Sequence, residues 1–81
     1  MSYISEEGKI TLRDIERKYR LSTYAIAAIA FVEASVIYRM EQRGPLPRKV
    51  VEQILLRLSE VTGQDYSMET VGGYWIERDE E

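Results

Sequence analysis

Cysteine and histidine are both absent from this 81-residue chain, and their absence narrows what the chain can do. Without cysteine it has no disulfide and no thiol nucleophile, and without both residue types it has no zinc-finger ligand set. The commonest general base is missing too, and the carboxylates are scattered among charged neighbours. We therefore predict that the chain is not an enzyme and binds no metal or cofactor.

Long apolar runs are also lacking. The longest spans residues 25–32, too short to cross a bilayer, and the N-terminus has no signal-peptide pattern. The chain is 44% apolar and 31% charged, as is typical of a globular protein. We expect a single domain over residues 1–81, located in the cytoplasm without membrane contact. Its core is small enough that we expect a tail or a second subunit to complete it.

Charge is distributed unevenly along the chain, although the formal net charge is only −3. Residues 1–10 carry a net charge of −1, residues 11–58 carry +4, and residues 59–81 carry −6. A basic middle followed by an acidic end is expected of a chain whose middle contacts phosphates. On charge alone, a solvated charged surface with an acidic end is an equally good interpretation.

Apolar spacing and capping signals predict an all-α fold of four to five helices, with a helical core at residues 11–71. Thr11 precedes the first helix, and Ser22 or Thr23 can cap the second. The segment from Arg43 to Pro47 contains one glycine and two prolines, so it must end the third helix. The first, third and fourth predicted helices cover about residues 12–20, 34–42 and 48–62. The second begins at residue 22 or 23, and residues 65–71 could form a fifth.

Short extended arms flank this core at residues 1–10 and 72–81. Residues 3–5 alternate like a small strand, and Tyr74, Trp75 and Ile76 favour a strand before an acidic tail. An aromatic strand is costly to leave in water. We therefore predict that these three residues pair with the N-terminal arm of the same or a neighbouring subunit and form a dimer contact.

The most informative stretch is residues 21–42, which fits two short helices that meet at a tight bend near Phe31. No glycine or proline marks a break between Thr23 and Arg43, so one continuous helix is the alternative. If the bend exists, Val36, Ile37 and Met40 face inward on the second helix. That arrangement is a helix-turn-helix, which binds DNA in the major groove.

The outward side chains of such a helix would contact DNA. The candidate base-facing residues are Ala34, Ser35, Tyr38, Arg39 and Gln42. The candidate phosphate-contacting residues are Thr23, Tyr24, Arg43, Arg48 and Lys49. Arg39 can bind guanine bidentately and Gln42 suits adenine. The alternative for each is structural: Tyr38 would be half-buried, or Arg39 would pair with Glu33 or Glu41.

Over roughly residues 12–71 the chain resembles the Cro/C1 (Xre-type) helix-turn-helix repressors. The likeness is carried by Leu21, Ser22, Ile26, Ala27, Val32, Ser35, Ile37, Arg39, Met40, Glu41, Gly44, Pro47, Ile54, Leu58 and Gly63. Residues 58–66 also follow the Leu-Ser-x-x-Thr-Gly-x-x-Tyr pattern that ends short bacterial regulators of this type. Phe31 departs from the family, which often has a small residue at the turn. Residues 41–44 are one residue longer than the usual Glu-x-Gly.

This resemblance implies a sequence-specific DNA-binding regulator, most simply a repressor that binds double-stranded DNA as a homodimer. Thr23 matches a phosphate-binding position, and Ala34, Ser35 and Tyr38 match groove-facing positions. Glu41 matches the acid that closes the recognition helix. The alternative is an antitoxin-like or adaptor module on the same fold, which binds a protein partner through its C-terminal aromatic strand or its alanine-rich helix.

Overall fold

The computed structural model describes residues 2–77 and combines helices with a small sheet. The elements in chain order are β1 (Ser2–Ile4), α1 (Leu12–Tyr19), α2 (Thr23–Ala30), α3 (Ala34–Glu41), β2 (Pro45–Leu46), α4 (Arg48–Thr62) and β3 (Tyr74–Ile76). The prediction of an all-α fold is therefore wrong. The predicted acidic tail at residues 78–81 lies outside the described residues.

The sheet has three strands in the order β1-β3-β2. The central strand β3 runs antiparallel to β1, with Trp75 opposite Tyr3, and parallel to β2, with Trp75 opposite Pro45. Proline has no N–H to donate, and it is tolerated in β2 because this is an edge strand. The segment from Arg43 to Pro47 predicts the end of one helix and the start of the next but no strand, which is why β2 was not predicted.

Capping explains where the helices begin. The backbone N–H of Asp14 donates to Thr11 Oγ1 at 3.3 Å, and the N–H of Thr11 donates to Asp14 Oδ2 at 2.9 Å, which completes a capping box for α1. Of the two predicted caps for α2, Ser22 is the one used, because its hydroxyl accepts from Ala25 N at 3.0 Å. The predicted bounds of α4 are confirmed, and its C-terminal cap is Gly63.

Residues 65–71 do not form the possible fifth helix. They form turns instead, with the Thr70 and Val71 N–H groups donating to the Ser67 carbonyl at 3.1 and 2.9 Å. These turns bring Val71 beside Ile10 in an isolated parallel bridge. The segment therefore carries the chain from the end of α4 back to the N-terminal residues of the protein, beside which β3 begins.

One core joins the helices to the sheet. Its buried side chains are Leu12, Ile15, Ile26, Ala27, Ala30, Ile37, Met40, Leu46, Val51, Ile54, Leu55, Leu58, Tyr66, Val71, Tyr74 and Ile76. Trp75 lies between two inward residues and is only partly buried, with its ring centroid 5.0 Å from that of Tyr3. Val61, near the end of α4, is 58% exposed.

In the described part of the chain, no single helix is long and apolar enough to cross a membrane. Helices α2 and α3 reach that length only when taken together, and they are bent by 117° relative to each other.

Gly72 lies where the approach to β3 passes the N-terminal segment. Its N–H donates to the Ile10 carbonyl at 2.8 Å, and a Cβ atom at this position would overlap the backbone of Ser5. We expect Gly72→Ala to lower the free energy of unfolding by about 2 kcal/mol or more, because backbone rather than a flexible side chain must move. Urea denaturation measures this loss.

Gly8→Ala is the matched control. Nothing lies within 4 Å of a Cβ atom at Gly8, although its φ of +72° is unfavourable for alanine. The control should cost only about 1 kcal/mol. Equal losses in the two variants would show that the close approach at Gly72 does not constrain the sheet.

Candidate nucleic-acid interface

The chain bends between α2 and α3 where the sequence predicted. Helix α2 ends at Ala30, Phe31 has left-handed φ and ψ of 59° and 43°, and α3 follows its N-cap residue Glu33. The N–H groups of Phe31 and Val32 donate to carbonyls of the last turn of α2, as in a Schellman motif. The three-residue turn and the 117° bend fit helix-turn-helix geometry, and the continuous helix is excluded.

Phe31 does not block this turn, although the position often holds a small residue in the family that the chain resembles. Its side chain points outward and is 72% exposed, and the Arg57 guanidinium lies 4.4 Å from the ring centroid. A left-handed non-glycine residue costs about 1–2 kcal/mol. The cation–π contact offsets about 0.5–1 kcal/mol of that cost.

Helix α3 has one buried face. Ile37 and Met40 are fully buried and Val36 is partly buried, so the predicted inward stripe is confirmed. Helix α3 packs against both α2 and α1. The core therefore fixes the rotation of α3 about its own axis and determines which side chains it presents to solvent.

Four of the five predicted base-facing residues are exposed. They are Ser35, Tyr38 and Arg39 on α3, and Gln42 immediately after it. The fifth, Ala34, is partly buried and packs against the core. Among residues 2–77, neither predicted acidic partner forms an ion pair with Arg39.

Two tyrosines connect the start of α2 to the exposed face of α3. The Tyr24 and Tyr38 rings meet edge to face, with centroids 6.4 Å apart. Hydrogen bonding to Tyr24 and the charge of Tyr24 raise the pKa of Tyr38. Tyr24, a predicted phosphate-contacting residue, thus lies beside Tyr38, a predicted base-facing residue.

The other predicted phosphate contacts differ in their surroundings. The Thr23 hydroxyl donates to Glu41 Oε2 at 2.9 Å, and Arg43 forms an ion pair with Glu6. Arg48 Nη1 contacts Met68 Sδ at 3.6 Å, whereas Lys49 is exposed at the start of α4.

A polar cleft of about 220 Å³ lies between α1, the end of α3 and the approach to β3. Its charged lining comprises Arg13, Arg17, Arg43, Glu6 and Glu41. The prediction did not include Arg13 and Arg17. Their four-residue spacing, which places both on one face of α1, is the signal that could have found them. Arg17 pairs with Asp14 at 3.3 Å on the surface, where such pairs contribute little to stability.

An acid pair links α1 to the end of α3. Glu16 Oε2 is buried and meets no hydrogen-bond donor, and the carboxyl faces that of Glu41. Burial, then hydrogen bonding to Glu41 and repulsion by its charge, raise the pKa of Glu16 to about 7, while Arg13 opposes the shift. A carboxyl group in this position holds its proton close to neutral pH. The two residues are far apart in sequence, so no local pattern revealed the pair.

The predicted dimer-contact residues have different environments. Tyr74 and Ile76 are each only 1% exposed, and β3 pairs with β1 of the same chain. These two residues belong to the chain's own core and offer no surface to a second subunit. Of the three, only Trp75 retains an outward face, so the predicted contact is reduced to this residue and its neighbour Tyr3.

We expect Glu16→Gln to stabilise the protein at alkaline pH. The pKa of Glu16 is about 7 in the folded state against 4.5 for the ordinary group, so folding favours the protonated form. That stability is complete below about pH 4.5 and is lost as pH rises through 7. Glutamine stays neutral, and should add about 1–2 kcal/mol at pH 8 after allowance for solvent screening.

Thermal unfolding across pH 4 to 8 measures this effect. Glu52→Gln, which removes the same charge from an exposed position on α4, should follow the wild-type curve. Parallel curves for wild type and Glu16→Gln would show that Glu16 titrates normally.

Comparison of the chain with protein-family models, curated proteins and solved structures finds no match. The assignment of this surface therefore depends on its geometry and on the resemblance within the sequence.

Proposed function

We propose that this chain is a sequence-specific DNA-binding regulator of the Cro/C1 (Xre) type, which places α3 in the major groove of double-stranded DNA. The observation that carries the proposal is the 117° bend between α2 and α3 across a three-residue turn. This bend lets α3 bury Ile37 and Met40 while it exposes Ser35 and Arg39. The major groove of B-DNA is wide enough to admit such a helix.

The exposed side chains divide into two groups by their chemistry. Arg39 would bind guanine O6 and N7, Gln42 would bind adenine, and Ser35 can bond to several base edges. Lys49 and Arg43, which flank α3, would hold the phosphates without regard to sequence. The net charge of +4 over residues 11–58 supports this division, because backbone neutralisation supplies most of the non-specific affinity.

A dimer is part of the proposal because one recognition helix contacts only a few base pairs. Two subunits on half-sites about 34 Å apart would double the sequence that is recognised. Occlusion of a promoter by the bound dimer would make the protein a repressor. A regulator of this kind would act in the cytoplasm, where its DNA target lies.

The alternative is a protein-interaction module, and exposed apolar side chains favour it. Tyr24, Phe31, Leu56 and Val61 are all well exposed, and an open groove of about 430 Å³ runs beside Leu55 and Met68. Exposed apolar surface is typical of protein contacts. A protein of this second kind would bind duplex DNA weakly or not at all at any salt concentration.

Fluorescence polarisation with a duplex selected from a random library tests the DNA-binding proposal. Arg39→Ala should cost about 1–3 kcal/mol at the selected site and relax its base preference, because a bidentate contact is lost. Lys49→Ala should weaken binding to all duplexes alike and reduce the slope of log affinity against log salt by about one.

Lys18→Ala is the charge-matched control, since Lys18 lies on α1 over the Tyr19 ring and is not among the residues proposed to contact DNA. It should change neither the preference nor the slope. Unchanged recognition in a folded Arg39→Ala protein would reject the role of Arg39. No salt-dependent binding by the wild type would favour the interaction module.

Light scattering tests the proposed dimer. We expect Trp75→Ser to shift the protein from dimer to monomer mass, because it removes the outward aromatic group of the sheet while sparing Tyr74 and Ile76. Phe31→Ser, which removes an exposed aromatic ring outside the sheet, should leave the mass unchanged. A wild-type protein with monomer mass, or a Trp75→Ser protein with dimer mass, contradicts this contact.

A further inference from the structure

We propose that Glu16, whose buried Oε2 lies at the contact between α1 and the end of α3, is a positioning residue for DNA binding, and that loss of its proton makes DNA affinity fall as pH rises. This inference rests on the proposed function. In addition to DNA binding itself, it proposes that the affinity is regulated by protonation of Glu16, a side chain that is not among the proposed DNA contacts.

The geometry places this acid pair at the junction of all three helices of the DNA-binding unit. Glu16 lies on α1, Glu41 is the last residue of α3, and Thr23 is the first residue of α2. Glu41 Oε2 already accepts from the Thr23 hydroxyl at 2.9 Å, and Thr23 is a proposed phosphate contact. A change in the acid pair therefore acts on the recognition helix and on a proposed backbone contact together.

Protonation of Glu16 determines whether its carboxyl group and that of Glu41 attract or repel each other. With one proton, the Glu16 carboxyl donates to the Glu41 carboxylate, which satisfies the otherwise unpaired Glu16 Oε2. Without it, two carboxylates face each other in a partly buried site, where like charges repel strongly. Loss of the proton therefore favours separation of α1 from the end of α3.

The surrounding charges leave this repulsion largely uncompensated. Arg13 on α1 opposes it only in part, since the pKa of Glu16 remains near 7. The other charged groups around Glu41 line the same cleft: Arg17 pairs with Asp14, and Arg43 pairs with Glu6. On the other side of Glu41, the α2 residue is the uncharged Thr23.

DNA should strengthen the preference for the proton. Phosphates near α3 add negative potential, which disfavours a second carboxylate, so the complex takes up a proton and affinity falls as pH rises. If the phosphates raise the pKa of Glu16 by one further unit, the loss of affinity across the titration approaches about tenfold. The chain contains no histidine, so no other side chain ordinarily titrates in this range.

The test compares dissociation constants for one selected duplex at pH 6 and pH 8, at fixed ionic strength, for three full-length proteins. Wild type and Glu52→Gln should bind about three- to tenfold more weakly at pH 8. Glu16→Gln has no proton to lose at this position, so its affinity should decline distinctly less between the two pH values. The terminal amino group also titrates in this range, and its contribution remains in all three proteins.

Carboxyl-carbon NMR of the free wild-type protein measures the titration of Glu16 directly, without DNA. A midpoint near pH 7 supports the raised pKa of Glu16, and one near pH 4.5 overturns it. Wild-type affinity that is independent of pH, or an equal decline in Glu16→Gln, overturns the linkage while DNA binding stands. Absence of binding by all three proteins at both pH values instead contradicts the proposed function, and the linkage falls with it.

Discussion

The left-handed turn at Phe31 is the constraint on which the rest of the structure depends. By bending the chain through 117°, it allows Ile26 on α2 and Ile37 on α3 to enter the same core. The strain of a non-glycine residue there is about 1–2 kcal/mol, whereas each fully buried large aliphatic side chain contributes about 1.5–3 kcal/mol. Burial therefore dominates, and the same bend gives α3 a solvent-exposed face.

The sheet closes the other side of this core. Strand β3 brings the C-terminal segment between β1 and β2, and it inserts Tyr74 and Ile76 among the helices. The close approach of Gly72 to Ser5 and the bond from Gly73 N to the Ile4 carbonyl, at 2.8 Å, hold the two ends of the domain together. The aromatic segment is thus a structural part of the monomer, and Trp75 is the member that remains partly accessible.

Charged groups affect the three-helix region as well as apolar packing does. The exposed cations would favour phosphates, yet the contact between α1 and the end of α3 brings together two carboxyl groups, those of Glu16 and Glu41. Burial and repulsion hold the pKa of Glu16 at about 7, so the stability of this contact depends on pH. In a chain without histidine, we propose that this arrangement supplies the sensitivity near neutral pH that an imidazole commonly provides.

The sequence by itself determined the elements whose signals are local. The Thr11 cap and the apolar spacing predicted α1 and α4 well, and the spacing of Ile37 and Met40 predicted the inward face of α3. The sequence also predicted that residues 74–76 pair with the N-terminal arm, and the pairing of β3 with β1 of the same chain confirms this. Tertiary structure decided the addition of β2 to the sheet and the acid pair. Strands of two and three residues are specified by partners distant in the chain, and the Glu16 pKa depends on Glu41 reaching it across a helix interface. Local patterns record capping and periodicity, whereas these contacts arise only when distant segments are packed together.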